Sequence, residues 1–388
     1  MKICILAPEN SPSWGGVGCY VYNLAKNLPK EFDVHIITIN RDVFDSYDKL
    51  LKNDNINIYK ITDVSKNNSF FYNYSFQMSL LRKLKGFQKN MKFDIIHSHS
   101  GHLPHIFTQF QNIAPLIVTV HATVRGMKRG LKEYKFAESQ TEKLMDMFSS
   151  FIEIGEKISF KKSEKLLPVS EFTLNEIENI YKVNVKNKSI IVKNATDTDM
   201  FRPRYTEYNK EKVITFIGRF YAIKGFDIYL KSILNINKNG YKIKPYLIGR
   251  GDRRNLNRLL KNNFSNFILQ DLTPYSEIPK IFNYSDIVVI PSRYDNCPAV
   301  VLEAMSSGKI VIASNAGGIP EIIENEKNGF LFENGNAVEL QKKITSVLDE
   351  TYNLKDIRNN ARNTIINNYQ WKNRAEEIGK LYKSLNNQ

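Results

Sequence analysis

Short runs of β-branched and aliphatic residues alternate with longer amphipathic stretches through nearly all of the 388 residues. This alternation is typical of open parallel sheets with helices on both faces. The predicted strands are residues 2–7, 33–39, 56–61, 93–97, 116–121, 165–169 and 189–193 in the first half, and residues 212–218, 244–249, 266–269, 287–291, 310–313 and 329–332 in the second. The last two helices are predicted over residues 337–349 and 371–385. The pattern therefore predicts an α/β protein.

A polar, irregular stretch divides this alternation into two series. It begins after Asn194 and runs to residue 209, with Pro203 inside it, and a new strand pattern starts at Lys212. A chain of 388 residues also exceeds the usual size of one hydrophobic core. We therefore predict a first domain over residues 1–195 and a second over residues 196–370, each of them doubly wound.

The charge and cysteine content narrow the possible partners and compartment. Lys and Arg number 55 against 40 Asp and Glu, which gives a formal net charge of +15. Such a surplus attracts polyanions, whether nucleic acid, an anionic membrane surface or phosphorylated substrates. Cys4, Cys19 and Cys297 have no metal-ligand or redox spacing, which favours a reducing cytoplasm. No apolar run reaches membrane-spanning length, so we expect a cytoplasmic protein that is soluble or peripheral.

Three basic stretches with helical periodicity lie in the first half. They cover residues 82–92, 125–135 and 157–165. In the first stretch basic residues alternate with Leu84 and Phe87 and follow Leu80, as in a peripheral helix on anionic lipid. Taken singly, each stretch is more typical of a solvated helix face. Together with the net charge they favour a lipid-linked or membrane-located acceptor and an anionic membrane surface as a partner.

A glycine-rich turn follows the first predicted strand. Gly15, Gly16 and Gly18 precede a helical pattern, and a helix start of this kind presents backbone N–H groups to an anion. The third glycine of a dinucleotide fingerprint is replaced by Val21, which counts against a nicotinamide dehydrogenase. A tight strand-to-helix turn without a ligand explains the glycines nearly as well as phosphate contact.

Two cations follow the first strand of the second series. Arg219 comes after Gly218, and Lys224 precedes Gly225, so both lie between a strand end and a helix start. Ligands of open α/β sheets bind beyond the carboxyl ends of strands. Arg offers a planar fork for two phosphate oxygens and Lys a mobile point charge. This spacing favours a diphosphate site in which the cations stabilise a departing nucleoside diphosphate.

The most informative segment is the loop and helix of residues 291–305. Asp295 lies in the loop and Glu303 inside the following helix, beside Leu302 and Met305. A carboxylate among apolar residues needs hydrogen-bond partners, and two ribose hydroxyls would serve. Asp295 has a competing interpretation as a simple acid at a helix N-terminus.

In their order and spacing these segments resemble the family-four retaining glycosyltransferases of the GT-B fold, or glycosyl transferases group 1. The matching segments are Gly15 and Gly16, residues 94–99, 118–121 and 168–170, Asn194 with residues 199–203, Gly218 and Arg219 with Lys224 and Gly225, Pro291 and Ser292, and residues 317–321. The resemblance implies two Rossmann-like domains facing each other across a cleft, with the C-terminal helix, residues 371–388, crossing back to the first. It also implies an acceptor-binding first domain and a nucleotide-sugar-binding second domain.

The resemblance further implies a role for individual residues. Glu303 would bind the ribose, Asp295 would lie near the donor sugar, and His121 would lie near the transferred sugar. The implied catalytic residues are His121, Arg219, Lys224 and Asp295, and the implied donor-binding residues are Gly15, Gly16, Gly18, Arg219, Lys224, Leu272, Asp295, Asn296, Cys297, Pro298, Ala299, Val300 and Glu303. His97 and His99 are interpreted as structural or acceptor-side residues.

The activity implied is transfer of a hexosyl unit from a UDP- or GDP-sugar to a glycan or lipid-linked acceptor, in cell-surface polysaccharide or glycolipid biosynthesis. Retention would follow from front-face attack, with the two cations at the leaving diphosphate and with no metal ion or cofactor. Nucleic acid is not an expected partner.

The sequence departs from the family pattern at three places. Asp295 stands where Glu is usual, residues 194–197 replace Asn-Gly-Val-Asp, and Asp271 stands where glycine often precedes the base-binding loop. Two other functions remain as alternatives: a nucleotide-sugar epimerase of GT-B architecture, and a basic nucleic-acid-binding protein. The nucleic-acid alternative has no recognisable reading motif.

Overall fold

A computed structural model describes residues 1–12, 15–40, 55–63, 71–99, 114–132, 140–204, 211–251, 267–271 and 273–386. These residues form two compact units. The first contains the described residues of Met1–Gly126, Gln140–Asn194 and Trp371–Gln388, and the second contains those of Met127–Ser139 and Ala195–Gln370.

The first unit is built on a parallel sheet with six described strands. They are β1 (Lys2–Leu6), β2 (Asp33–Asn40), β3 (Ile56–Asp63), β4 (Ile95–Ser98), β5 (Leu116–Val120) and β6 (Lys165–Pro168). Their order is β3-β2-β1-β4-β5-β6. The order reverses between β1 and β4, and the crevice beyond the carboxyl ends of two such strands is where doubly wound sheets bind ligands.

The second unit repeats this architecture. Its strands are β7 (Lys212–Ile217), β8 (Ile243–Ile248), β9 (Ile268–Gln270), β10 (Ile287–Ile290), β11 (Ile310–Ser314) and β12 (Phe330–Phe332), in the order β12-β11-β10-β7-β8-β9. All described pairings in both sheets are parallel. Here the reversal lies between β7 and β10, so the loops that follow these two strands lie side by side.

The described helices are numbered in chain order. They are α1 (Gly16–Asn27), α2 (Phe71–Met91), α3 (Val124–Lys132), α4 (Gln140–Lys162), α5 (Glu171–Asn179), α6 (Phe226–Lys238), α7 (Ile278–Tyr284), α8 (Ala299–Ser306), α9 (Ala337–Leu348), α10 (Leu354–Asn368) and α11 (Trp371–Asn386). Because both faces of each sheet are covered, the central strands are buried along most of their length and do not alternate between buried and exposed residues. In β10, for example, all four residues are buried.

Two predictions of secondary structure were wrong. Residues 189–193 form no regular strand: Ser189 makes an isolated bridge with Leu166, and the N–H groups of Ile190 and Val192 donate to carbonyls of β6. The segment therefore runs along the edge of β6 without a continuous ladder. Helix α10 was not predicted, because its many Asn residues are poor helix formers. Its buried residues Ile357, Ala361 and Ile365 recur every four positions and hold it to the core.

Helix α2 carries the first of the basic stretches. Its residues Leu80 and Leu84 are buried in the core of the first unit, whereas Arg82, Lys85 and Lys89 are exposed. The apolar side of this helix is thus occupied by the protein's own core, and its cations face solvent. None of the helices within the described ranges has both the length and the apolar character needed to cross a bilayer.

Candidate functional site

The loop after β7 contains the two predicted diphosphate cations. Gly218 and Gly225 adopt positive φ angles of 152° and 67°. A Cβ added to Gly225 would lie 1.7 Å from the carbonyl oxygen of Pro291, so only glycine allows this loop to approach the end of β10 so closely. Lys224 ends the short 3₁₀ turn Ala222–Lys224 just before this contact. Arg219 is exposed and follows Gly218.

Asp295 lies beside Lys224. Lys224 Nζ is 2.5 Å from Asp295 Oδ2, although the two residues are 71 positions apart in sequence. Ser292 Oγ donates to the same carboxylate oxygen at 3.4 Å. The backbone of Asp295 is held as well, since Gly318 N donates to its carbonyl at 3.0 Å. The structure therefore brings two of the predicted site residues into an ion pair at the reversal point of the second sheet.

Arg293 joins the same two loops, a role that the sequence did not reveal. Its guanidinium binds both carboxylate oxygens of Asp227, at 2.7 and 2.8 Å, and donates to the carbonyl of Ala222 at 2.6 Å. Arg293 N donates to the carbonyl of Ile223 at 2.8 Å. A buried bidentate pair of this kind fixes geometry as well as contributing energy. Arg293 thus holds the Lys224 turn against the loop that carries Asp295.

Glu303 is buried on α8 with 4 % of its surface exposed. Tyr275, which follows β9, donates its hydroxyl to Glu303 Oε1 at 2.8 Å. Burial raises the pKa of Glu303 to about 7, against the opposing effect of the tyrosine hydrogen bond. The second carboxylate oxygen has further lone pairs for a hydroxyl ligand. Glu303, the residue predicted to bind the ribose, is therefore buried, and its hydrogen bond with Tyr275 fixes its position.

The loop before α8 presents the remaining predicted donor-binding residues. Asn296, Cys297 and Pro298 are buried, whereas Ala299 and Val300 are partly exposed at the helix start. No described side chain caps this helix, whose N-cap is Pro298. Its first N–H groups are suited to an anion or a sugar hydroxyl. Leu272, the predicted residue of the base-binding loop, lies outside the described residues.

The glycine-rich turn of the first unit has a steric explanation. A Cβ at Gly18 would lie 2.1 Å from the carbonyl oxygen of Ser11, so the first turn of α1 packs directly on the preceding loop. Gly15 is the N-cap, and its carbonyl accepts from Cys19 N at 2.9 Å. Gly16 opens the helix with nothing within 4 Å of an added Cβ. The close approach gives Gly18 a packing role, and Gly15, Gly16 and Gly18 all stay predicted donor-binding residues.

Three histidines lie at the carboxyl ends of β4 and β5. His99 Nδ1 is 3.2 Å from His121 Nε2, and the ring of His121 packs edge-on against Tyr20. His97 is fully buried and hydrogen-bonded to Thr119 and Tyr382 at 2.7 and 2.6 Å. Burial lowers the pKa of His97 and of His121 to about 3, so both rings are neutral at physiological pH.

A buried carboxyl fixes the segment that follows His121. Val124 N lies 3.3 and 3.2 Å from the two carboxylate oxygens of Glu156, and Tyr181 donates its hydroxyl to the same group. Burial raises the pKa of Glu156 to about 8. The start of α3 is thereby tied to α4. The sequence gives little sign of this contact, because a glutamate in a basic amphipathic helix normally faces solvent.

Two family models match the chain. The model described as Glycosyltransferase Family 4 matches residues 14–200, and the model described as Glycosyl transferases group 1 matches residues 197–364. Between them they span both units, and the second covers the loops that carry Arg219, Lys224, Asp295 and Glu303.

Known proteins resemble the chain over almost its whole length. An uncharacterized glycosyltransferase of Methanocaldococcus jannaschii is 26% identical over 384 residues, 96% of each chain. The UDP-Gal:alpha-D-GlcNAc-diphosphoundecaprenol alpha-1,3-galactosyltransferase of Escherichia coli is 24% identical, over 98% of this chain and 97% of its own. The crystal structure of HepE from Anabaena in complex with UDP-glucose superimposes with a TM-score of 0.78 and 17% identity, over 99% of this chain and 100% of its own.

The two parallel six-stranded sheets, the family models and the structural likeness agree with one another. The expected fold class and the expected enzyme class are confirmed, and the chain belongs to the family 4, group 1 glycosyltransferases with the GT-B fold.

Proposed function

We propose that this glycosyltransferase is a retaining hexosyltransferase that uses a UDP-hexose and a glycan or lipid-linked acceptor. The observation that carries the proposal is the joining of the loops after β7 and β10, which places Lys224 against Asp295. The bond that breaks in a nucleotide-sugar joins the diphosphate to the sugar. A cation suits the diphosphate, and a carboxylate suits the hydroxyls of the sugar. Glu303, buried on α8, supplies a carboxylate for the ribose.

The choice of UDP is supported by the similar proteins. HepE was crystallised with UDP-glucose, and the Escherichia coli relative is named for UDP-Gal. We extend this base to the present chain, which resembles HepE in fold with a TM-score of 0.78.

The proposed mechanism needs charge stabilisation at the leaving group. As the bond from the sugar C1 to the diphosphate oxygen breaks, Arg219 and Lys224 stabilise the negative charge that develops on the diphosphate. The acceptor hydroxyl forms the new bond to C1 on the same face, and its proton passes to the departing phosphate. In this scheme two cations occupy the role that a metal ion has in other enzymes, so no metal or cofactor is proposed.

His121 is proposed to contact the transferred sugar. Because burial lowers its pKa to about 3, its ring is neutral, and since Nε2 is hydrogen-bonded to His99, Nδ1 is the ring nitrogen left for a sugar hydroxyl. His99, which is hydrogen-bonded to it, fixes the orientation of that ring.

The acceptor is proposed to be linked to a lipid diphosphate, as in the name of the Escherichia coli relative. Helix α2 supports this choice, since Arg82, Lys85 and Lys89 are exposed. Its residues Leu80 and Leu84 are buried in the core, so attraction to an anionic membrane would be electrostatic and would require no insertion of this helix. A product of this kind belongs to cell-surface polysaccharide or glycolipid biosynthesis.

A donor screen tests the proposal. The protein is incubated in EDTA with UDP-, GDP- and ADP-hexoses, and thermal stabilisation and slow hydrolysis are measured. We expect a UDP-hexose to raise the melting temperature, Glu303→Ala to abolish that rise, and the product to keep the α configuration of the donor by NMR. Absence of stabilisation by every nucleotide-sugar would exclude the proposed function, and an inverted product would exclude the front-face mechanism.

A further inference from the structure

Asn296 lies between the ion-paired Asp295 and the start of α8, and its side chain is unusual in its surroundings. The residue is 2 % exposed. Neither its Oδ1 nor its Nδ2 has a hydrogen-bond partner among the residues that the structure describes. Among the described residues, no other Asn or Gln has both polar side-chain atoms buried without a hydrogen-bond partner. Burying an amide without partners is costly, so such a group normally has a ligand or another role.

The backbone around Asn296 is held on both sides. Gly318 N donates to the carbonyl of Asp295, and a Cβ at Gly317, which has a φ of 59°, would lie 2.1 Å from that same oxygen. On the other side Pro298, with its restricted φ, begins α8. The carboxamide is therefore carried by a loop whose backbone is held on both sides.

The chemistry of a carboxamide suits a sugar. Its oxygen accepts a hydrogen bond and its nitrogen donates one, so one side chain can bind a hydroxyl in both roles or two neighbouring hydroxyls. The carboxamide carries no charge, so a phosphate would bind it less strongly than it would bind the adjacent Lys224. The neighbouring Asp295 is proposed to contact the same sugar.

We infer that the carboxamide of Asn296 binds a hydroxyl of the donor hexose and makes the enzyme selective for that hydroxyl. The inference rests on the proposed function, and it assigns to this side chain a recognition role distinct from that of the loop's backbone N–H groups. A site built to hydrogen-bond a hydroxyl strongly rejects an analogue that lacks it, because its own polar groups are left unpaired.

The test combines enzyme variants with altered donors. The UDP-hexose that is active in the donor screen is compared with its 2-, 3-, 4- and 6-deoxy analogues, for the wild type, Asn296→Ala and Asn296→Ser. We expect one deoxy analogue to lower kcat/KM of the wild type by about 100-fold. Asn296→Ala should lose about as much with the parent donor and should then discriminate less than about threefold between it and that analogue. Affinity for UDP, which lacks the hexose, should not change.

Ser307→Ala is the matched control. Ser307 ends the same helix, is 1 % exposed, and its hydroxyl likewise has no partner among the described residues. We expect this variant to keep the wild-type selectivity, and the melting temperature of each variant shows whether it folds. If Asn296→Ala and Asn296→Ser lower kcat/KM equally for all donors, the side chain serves packing and the inference is overturned. If the wild type uses no nucleotide-sugar at all, the proposed function fails and the inference fails with it.

Discussion

Lys224 Nζ and Asp295 Oδ2 lie 2.5 Å apart at the carboxyl ends of two adjacent strands, with the carboxylate side chain 16 % exposed and the lysine 36 %. Each of these groups is proposed to bind a different part of the donor. In the free protein they form an ion pair. Under the proposed function a diphosphate would compete with Asp295 for the lysine, and its binding would release the carboxylate toward the sugar.

Asp295→Asn should separate these two roles. Removing the carboxylate frees Lys224, and UDP should bind up to about fivefold more tightly, as expected for a partly exposed ion pair worth about 1 kcal/mol. Transfer should decrease, because the sugar loses its carboxylate contact. Calorimetric titration with UDP and steady-state kinetics measure the two effects. Glu277→Gln is the control, since Glu277 pairs with Lys280 on the surface; weaker binding of UDP to Asp295→Asn than to this control would refute the competition.

Donor affinity should rise with pH around neutrality. The raised pKa of Glu303, about 7, means that the carboxylate needed for the ribose is mostly protonated at pH 6 and mostly ionised at pH 8. Because only the ionised form accepts both ribose hydroxyls, UDP-hexose affinity should increase roughly tenfold over this interval. Both phosphates of the nucleotide-sugar stay ionised across it, so the ligand adds no titration of its own. A flat profile for the wild type would contradict the assignment, and Glu303→Gln should give a weak and flat one.

Ionisation of Glu303 should lower the stability of the free protein, whereas it should raise the affinity for the donor. Burial disfavours the ionised form of Glu303, so its contribution to stability is fully present below its ordinary pKa of 4.5 and is lost as the pH rises through about 7. At pH 8, Glu303→Gln should therefore unfold at a higher temperature than the wild type even though it binds the donor poorly.

Tyr275→Phe should move this pH dependence upward. The tyrosine hydroxyl donates to Glu303 and lowers its pKa, so its loss leaves the effect of burial unopposed. A hydrogen bond to a charged group is worth about 1.5 kcal/mol, so its loss raises the pKa by about one unit, and at pH 7 the affinity for a UDP-hexose should fall by roughly fivefold. Tyr229→Phe removes an equally buried tyrosine hydroxyl that donates to the carbonyl of Ile214. This control should leave the midpoint of the pH profile in place, and an equal shift in both variants would argue against a specific role for Tyr275.

Gly225→Ala should disrupt the junction of the two loops. The alanine would adopt a positive φ and bring its Cβ into the carbonyl of Pro291, so we expect a loss of more than about 2 kcal/mol in stability and loss of UDP binding. Gly240→Ala is the matched variant, because Gly240 has a φ of 86° with no atom within 4 Å of an added Cβ. It should cost about 1 kcal/mol from the φ angle alone and leave binding intact. Thermal unfolding and UDP titration of both variants test this; equal losses would show that the close approach has no special role.

The sequence predicts the fold well because strand and helix periodicities are local properties. The prediction fails where a local pattern competes with long-range packing, as in residues 189–193 and in the Asn-rich α10. It also suggests a peripheral helix in residues 82–92, whereas Leu80 and Leu84 of the same helix turn out to fill the protein's own core. Amphipathicity shows that a helix has an apolar side but does not show what covers it.

The candidate site is predicted in part for the same reason. The reversal of strand order places the loops after β7 and β10 together, so the proximity of Lys224 and Asp295 follows from topology, whereas their ion pair does not. Arg293 has no local pattern that separates it from a surface arginine, because its partner Asp227 lies 66 positions earlier. The partner of Glu303 could not be predicted either, since Tyr275 reaches it from the turn after β9.

The anchoring of α11 has a consequence for biosynthesis. Tyr382 on this helix donates to or accepts from the buried His97, and Trp371 packs against Tyr20 of α1. Both partners belong to the first unit, yet the helix is translated only after the whole second unit. While the ribosome extends the chain, the apolar surface of the first unit that α11 covers stays exposed until residues 371–386 emerge. A chaperone that binds nascent chains should therefore remain associated with the first unit through most of translation, and truncation before Trp371 should prolong that association.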